Sequence, residues 1–210
     1  ILMYMHRLMR VDVANRNGLS RFYFVLGLLS YLLVTITCSP STAYKILQGQ
    51  AQGSTYTIQF EVPKNFDVKQ LHMEVSQLLT SIDESMSTYL ESSIISGLNR
   101  SEGDWFQVDD LFMRVLLSAI DVAQQTEGAF DPTIGSVVQL WGFGYNEIRG
   151  DISEQNVQEA LENTGFEQIN VDILRSSVRI PKEFSIDFNA IAQGFSVDTL
   201  ALLLESKGIK

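Results

Sequence analysis

The run Asp187-Phe188-Asn189-Ala190-Ile191-Ala192-Gln193-Gly194 sets a carboxylate ahead of small residues, an amide and a glycine. Such a run leaves backbone carbonyls and N–H groups open to a ligand and offers hard oxygen donors to a divalent cation. A second place of this kind is Thr126-Glu127-Gly128-Ala129-Phe130-Asp131-Pro132-Thr133-Ile134-Gly135, which runs on to Leu140-Trp141-Gly142-Phe143-Gly144. Four glycines, a proline and the large aromatics Trp141 and Phe143 are more backbone specialisation than an ordinary connection needs, so something approaches this backbone closely. Asp131 reads both as the cap of a short helix with Pro132 in its first turn and as an acceptor for a ligand. Asp187 likewise reads as a helix cap or as a ligand contact.

Other chemistries are excluded by what the chain lacks. His6 and His72 are its only histidines and Cys38 its only cysteine. A Ser-His-Asp triad, a Cys-His pair and a zinc cluster cannot be assembled from these. His72 reads as a boundary histidine on the edge of a helix stripe. There is no Walker-type phosphate loop and no Gly-x-Gly-x-x-Gly between a strand and a helix. Nucleotide chemistry here has to use oxygen ligands and a bound cation.

The Gly-Ala-Phe-Asp motif at 128–131 and the Asp187 run, in this order, resemble the bacterial FAD:protein FMN transferases, flavin-trafficking lipoproteins formerly named as thiamine-biosynthesis proteins. The resemblance implies an enzyme that takes FAD as substrate, requires Mg²⁺, and moves FMN onto a Thr or Ser hydroxyl of an acceptor protein, releasing AMP. An FAD pyrophosphatase, with water in place of that hydroxyl, and a non-catalytic flavin-binding lipoprotein are the alternatives. Carried over residue by residue, the resemblance puts Ala129, Phe130 and Asp131 against the flavin nucleotide and Asp187 and Gln193 against FAD. It gives the Ala190 carbonyl to the metal and assigns no catalytic residue.

Ser87-Thr88-Tyr89 is similar to a Ser-Thr-Tyr segment of the family whose tyrosine contacts flavin; a buried aromatic is the other reading of Tyr89. Gly49 and Gly53 match a glycine signature of the family that touches FAD, with Gln52 standing where methionine is usual. A plain hairpin turn is the alternative there. Gln193 has a surface-glutamine alternative, and Trp141 and Phe143 read as core aromatics with flavin stacking as the other possibility. The resemblance covers residues 44–210, and family members continue further, through an aspartate and a threonine that complete the magnesium site. The chain is therefore expected to lack the C-terminal part of the domain.

The elements that position these residues follow from periodicity. Tyr44–Gln48 and Thr55–Val62 alternate as two strands. From Asp67, apolar Val68, Leu71, Val75, Leu78, Ile82 and Met86 mark an amphipathic helix ending near Ser85. Asp109 caps a second helix through about Gln125, with Leu111, Val115, Ala119 and Val122 inside and Gly128 ending it in a left-handed cap. Ser153 opens a helix to Leu161, stopped at Gly165. Ile169–Ile173, Val178–Ile180 and Phe184–Phe188 read as short strands, and Ala192–Glu205 as a last helix ended by Gly208. Helices and strands come in unequal runs, which makes α+β the expected class, a single mixed domain.

Residues 1–38 hold Arg7, Arg10, Arg16 and Arg21 against one acid, Asp12, and Phe22–Ile36 is almost wholly apolar. That is the layout of a signal peptide, with lipoprotein-type processing expected at Cys38 and a tether at 39–43. An uncleaved anchor is the alternative for Cys38. The expected location is the periplasmic face of the inner membrane, held by a lipid anchor. Beyond the leader, 11 basic side chains stand against 24 acidic ones, a net charge of −13 that repels nucleic acid and anionic lipid headgroups. A phosphate ligand must then be met by backbone N–H groups and a divalent cation.

Overall fold

Residues 44–62, 66–144 and 152–209 are described by the structure, a computed structural model. The leader at 1–38, Cys38 and the tether lie outside the described residues. Strands β1 (Tyr44–Ala51) and β2 (Ser54–Glu61) pair antiparallel, with Ala51 opposite Ser54. Both strands run further toward the turn than the sequence predicts. The reason is the turn itself, in which Gln52 at φ +53° and Gly53 at φ +68° make a two-residue connection whose twist suits a hairpin. Gly49 lies opposite Tyr56, and a Cβ on it would come within 2.5 Å of that ring.

Helix α1 (Val68–Met86) starts at Asp67, whose carboxylate accepts the N–H of Gln70. Its stripe buries Leu71, Val75, Leu79, Ile82 and Met86, while His72 is exposed. Two short elements that the sequence did not announce follow, α2 (Ile94–Leu98) and β3 (Phe106–Gln107). Helix α3 (Asp110–Gln125) has the expected cap at Asp109, which accepts from the Phe112 N–H at 2.7 Å and from the Ser85 hydroxyl of α1 at 2.9 Å. Its buried face runs through Phe112, Val115, Leu116, Ala119 and Ala123. Val122, predicted to lie inside, is exposed because the face is centred on the 112–116–119–123 line. Gly128 takes φ +82° and donates its N–H to Ala123, as a left-handed cap requires.

Helix α4 (Gly135–Leu140) begins later than predicted, and Asp131 is not its cap: Ile134 holds that place without a side-chain bond. Helix α5 (Glu154–Glu162) is capped by Ser153 as expected. Strands β4 (Asn170–Asp172) and β5 (Ser177–Arg179) join β3 in an antiparallel sheet of order β3-β5-β4. Among the described residues the predicted strand Phe184–Phe188 pairs with no strand and makes only a single bridge, from Ser185 to Ile134. Phe184, Ile186 and Phe188 are buried as alternation requires, but the backbone between them bonds to a loop and to a side chain. Helix α6 (Asn189–Ser206) starts three residues earlier than predicted, with the Phe188 carbonyl accepting from the Ile191 and Ala192 N–H groups.

Helix α1 links two apolar clusters. Its first half packs Leu71, Val75 and Leu79 against Leu47 and Phe60 of the hairpin and Leu200 of α6. Its last turns carry Ile82 and Met86 into a cluster with Phe112, Leu116, Val178 and Phe188. The rings of Phe112 and Phe188 lie 5.1 Å apart at 56°, so the residue that starts α6 is fixed against α3. The class is α+β, as the sequence implies. Among the described residues no helix is long and apolar enough to cross a membrane.

Candidate functional site: a cleft between the hairpin tip and two helix ends

The Asp187 run begins where a buried extended segment becomes a helix. Asn99, at the end of α2, holds that segment by accepting the Ile186 N–H at 2.8 Å and donating to the Ile186 carbonyl at 2.9 Å. On its other side, the Asp187 N–H donates to the Pro132 carbonyl at 2.8 Å and the Gly135 N–H to the Ser185 carbonyl at 3.0 Å. Ile134 and Ser185 form a parallel bridge. The two motifs singled out in the sequence are thus bonded neighbours. Gly135 is required at this junction, since a Cβ there would meet the Ser185 carbonyl oxygen at 2.6 Å.

The Asp187 carboxylate accepts the Asn189 backbone N–H at 2.7 Å and the Asn189 side-chain amide at 3.0 Å. Phe188 occupies the N-cap place, so Asp187 caps the first N–H of α6 from one residue upstream. Burial pushes its carboxyl above the usual carboxylate range, against the lowering effect of the Asn189 bonds. Ala190 stands exposed in the first turn of α6, with Gln193 one turn on.

A cleft of about 740 Å³ opens beside this helix start. Asn189, Ala192 and Gln193 of α6 form one wall, and Asp83 and Met86 of α1 with Ser87, Tyr89 and Leu90 form another. The hairpin turn, Gln52 and Gly53, closes an end. Gln52 is held there by its side-chain amide, which donates to the Ser196 hydroxyl at 2.6 Å; burial raises the nearby Asp83 carboxyl above its usual range, against the lowering effect of the Gln52 backbone. The sequence-assigned residues Gln52, Tyr89 and Gln193 therefore meet in one cleft, with Asp187 joined to it through Asn189. Tyr89 is not a buried aromatic; it is 66% exposed at the mouth, its hydroxyl donating to the Phe143 carbonyl at 3.3 Å. Trp141 and Phe143, expected in the core, are 50% and 73% exposed. Their flanking glycines carry them to the surface in a turn after α4.

Ala129, Phe130 and Asp131 are not among the residues that line this cleft. Both Asp131 oxygens bind the chain itself: one accepts from the N–H and hydroxyl of Thr133, the other from the Phe166 N–H at 3.1 Å. Buried Thr133 in turn accepts the Gly165 N–H at 2.8 Å. Asp131 therefore ties the 128–135 loop to the turn before β4. Sequence reasoning missed Asp83, Asn99 and the role of Asn189. Asn99 carried no local signal, because its partner lies 87 residues away.

Magnesium takes six oxygens in near-octahedral geometry. Asp187 and the Ala190 carbonyl are donors of the right hardness, but no group of three or more His, Cys, Asp or Glu residues that could hold a metal occurs among the described residues. The described residues fit part of a magnesium shell and not a whole one. Mg²⁺ binding to this chain without FAD is accordingly expected to be weak, with no stoichiometric heat in a calorimetric titration at micromolar protein.

An α+β domain with an amide-lined cleft of this volume at a helix start has the form in which small-molecule sites are built. The family model described as the ApbE family matches residues 52–210, and the chain belongs to that family. A Vibrio cholerae protein named FAD:protein FMN transferase is 35% identical over 188 residues, covering 87% of this chain and 55% of that protein. The structure of flavin transferase ApbE from Vibrio cholerae superposes with a TM-score of 0.74 at 32% identity, covering 80% of this chain and 55% of the other. The apo flavinyl transferase ApbE of Pseudomonas stutzeri gives 0.74 at 27%, covering 80% and 57%. The chain spans about half the length of the curated relatives it matches.

Proposed function

We propose that this chain binds FAD in the cleft and belongs to an enzyme that transfers the FMN moiety to a Thr or Ser hydroxyl of an acceptor protein, with AMP leaving. The observation that carries this reading is the convergence of Gln52, Tyr89 and Gln193 on one cleft in a member of a family whose relatives bear that activity in their names. In that reaction a divalent cation, Mg²⁺, supplies charge to the pyrophosphate oxygens. Asp187 and the Ala190 carbonyl would hold part of its shell. The chain's own contribution is position: Tyr89 offers an aromatic face at the mouth and Gln193 a neutral amide beside the dinucleotide.

The same reading places the protein outside the cytoplasm, anchored by acylated Cys38 to the periplasmic face of the inner membrane, with membrane redox-complex subunits as acceptors. The basic and then apolar leader supports this. Incubating the protein with FAD, Mg²⁺ and a Thr-bearing acceptor peptide tests the reaction. A peptide heavier by FMN supports transfer; free FMN and AMP alone would make it a pyrophosphatase, and bound but intact FAD a carrier. Gln193→Ala is expected to weaken FAD binding by about 1 kcal/mol, the loss of one hydrogen bond, read as a roughly fivefold higher Kd by flavin fluorescence. An unchanged Kd would return Gln193 to the exposed surface of α6.

A further inference from the structure

The sheet of β3, β5 and β4 carries a second cavity, which shares no lining residue with the cleft. The register of this sheet sets Phe106, Val178 and Val171 in a row against the core, so the neighbouring row, Trp105, Arg179 and Asn170, faces outward. The Arg179 guanidinium lies over the Trp105 ring, 5.2 Å from its centre. The nearest basic residues in sequence are already paired, Arg175 with Asp172 and Lys182 with Glu102. Arg179 has no ion pair and no side-chain hydrogen bond among the described residues, and contact with a ring satisfies none of its N–H donors. Beside it opens a cavity of about 360 Å³, lined further by Gln168, Asn170, Ile180 and Pro181 and by no acidic side chain.

We propose that this cavity takes an acidic side chain from a segment of another protein, its carboxylate accepting paired N–H bonds from Arg179. A guanidinium presents parallel donors that match both oxygens of a carboxylate. A phosphate would suit the same fork, but its second charge would meet the acidic surplus of this chain with a single guanidinium to offset it. The amides beside Arg179 specify how the carboxylate is presented. Asn170 donates to the Gln168 carbonyl at 3.0 Å and keeps its amide oxygen, while the Gln168 side chain makes no hydrogen bond among the described residues. Both amides can donate and accept, as the peptide groups on either side of an internal side chain require; capture of a chain-terminal carboxylate uses backbone N–H groups instead. Ile180 and Pro181 offer apolar surface to the methylene stem.

The full chain with Trp141→Phe keeps Trp105 as its single tryptophan, whose fluorescence reports on the guanidinium above it. In the absence of flavin it is titrated with acetyl-Ala-Glu-Ala-amide, with the Gln counterpart, with acetyl-Ala-Gln-Ala bearing a free terminal carboxylate, and with inorganic phosphate, and calorimetry follows the same series. The Glu peptide is expected to bind at least about fivefold tighter than each of the others, and to weaken as salt is raised. Arg179→Lys keeps the charge and loses the fork, and Arg179→Gln loses both. Each should weaken the Glu peptide by at least about fivefold and, because Arg179 is exposed, melt close to wild type. Equal binding of the Glu and Gln peptides, no binding of either by both measurements, or undiminished Glu-peptide affinity in either variant overturns the proposal and leaves Arg179 as cover for Trp105. Tighter binding of the free terminus or of phosphate overturns the assignment to an acidic side chain.

Discussion

Asp187→Asn is expected to lower FMN transfer by at least about tenfold, or 1.4 kcal/mol of transition-state stabilisation, while the melting temperature stays within a few degrees of wild type. The asparagine oxygen can still accept the Asn189 N–H, since Asn serves about as well as Asp at helix starts. Its amide then faces the Asn189 amide, and one hydrogen bond is lost. That loss is offset because a charge is no longer buried. The charge itself is what a cation beside the pyrophosphate requires. Because burial raises the native carboxyl above its unfolded value, the native state takes up a proton more readily. Wild-type stability from this group is therefore greatest below the ordinary carboxylate pKa and declines as pH rises through the native one. The variant lacks this slope, so its Tm relative to wild type should improve as pH rises above the ordinary carboxylate range. A fully active variant with a depressed Tm would make Asp187 a helix cap and nothing more.

Asn99→Leu is expected to cost about 2–4 kcal/mol in urea unfolding, seen as a lower midpoint at unchanged m-value. Leucine nearly matches the volume but strands both the N–H and the carbonyl of Ile186, a residue with no exposed surface. Each unsatisfied buried group costs about 1–3 kcal/mol, which outweighs any gain from an apolar side chain. Asn99→Asp retains the acceptor for the Ile186 N–H and loses the donor, so it should fall between wild type and leucine. A leucine variant as stable as wild type would mean that the 184–188 segment is held by apolar packing alone.

What the sequence reveals and conceals here divides by the range of the interactions involved. Asp67, Asp109 and Ser153 were legible as caps because capping is settled within three residues of the chain. The burial of Phe184, Ile186 and Phe188 was legible from alternation. Their partner was not, since alternation is blind to whether a strand, a loop or an amide satisfies the backbone. The short α2 and β3 have no periodicity to read, and tertiary contacts define them. Within the site, Gln52, Tyr89, Asp187 and Gln193 were reached by resemblance to a family. Asp83 lies off the apolar stripe of α1 and looks like any solvated helix aspartate until the hairpin turn is folded onto it. Of the two sequence readings of Asp131, the cap does not hold, because its partners, Thr133 and Phe166, include one across a long stretch of chain.

The Asn99–Ile186 clasp also sets an order of events. The hairpin, α1 and α3 depend on neighbours in sequence and can form early, whereas this clasp closes a loop of 87 residues. By loop-closure entropy alone that contact is disfavoured by about 4 kcal/mol until packing rewards it. The start of α6 is placed only when the clasp and the Pro132–Asp187 bond are made, so capacity for ligand should lag behind the appearance of helix during refolding. A refolding chain would pass through an interval in which it is largely helical while the wall of the cleft that α6 supplies is still missing.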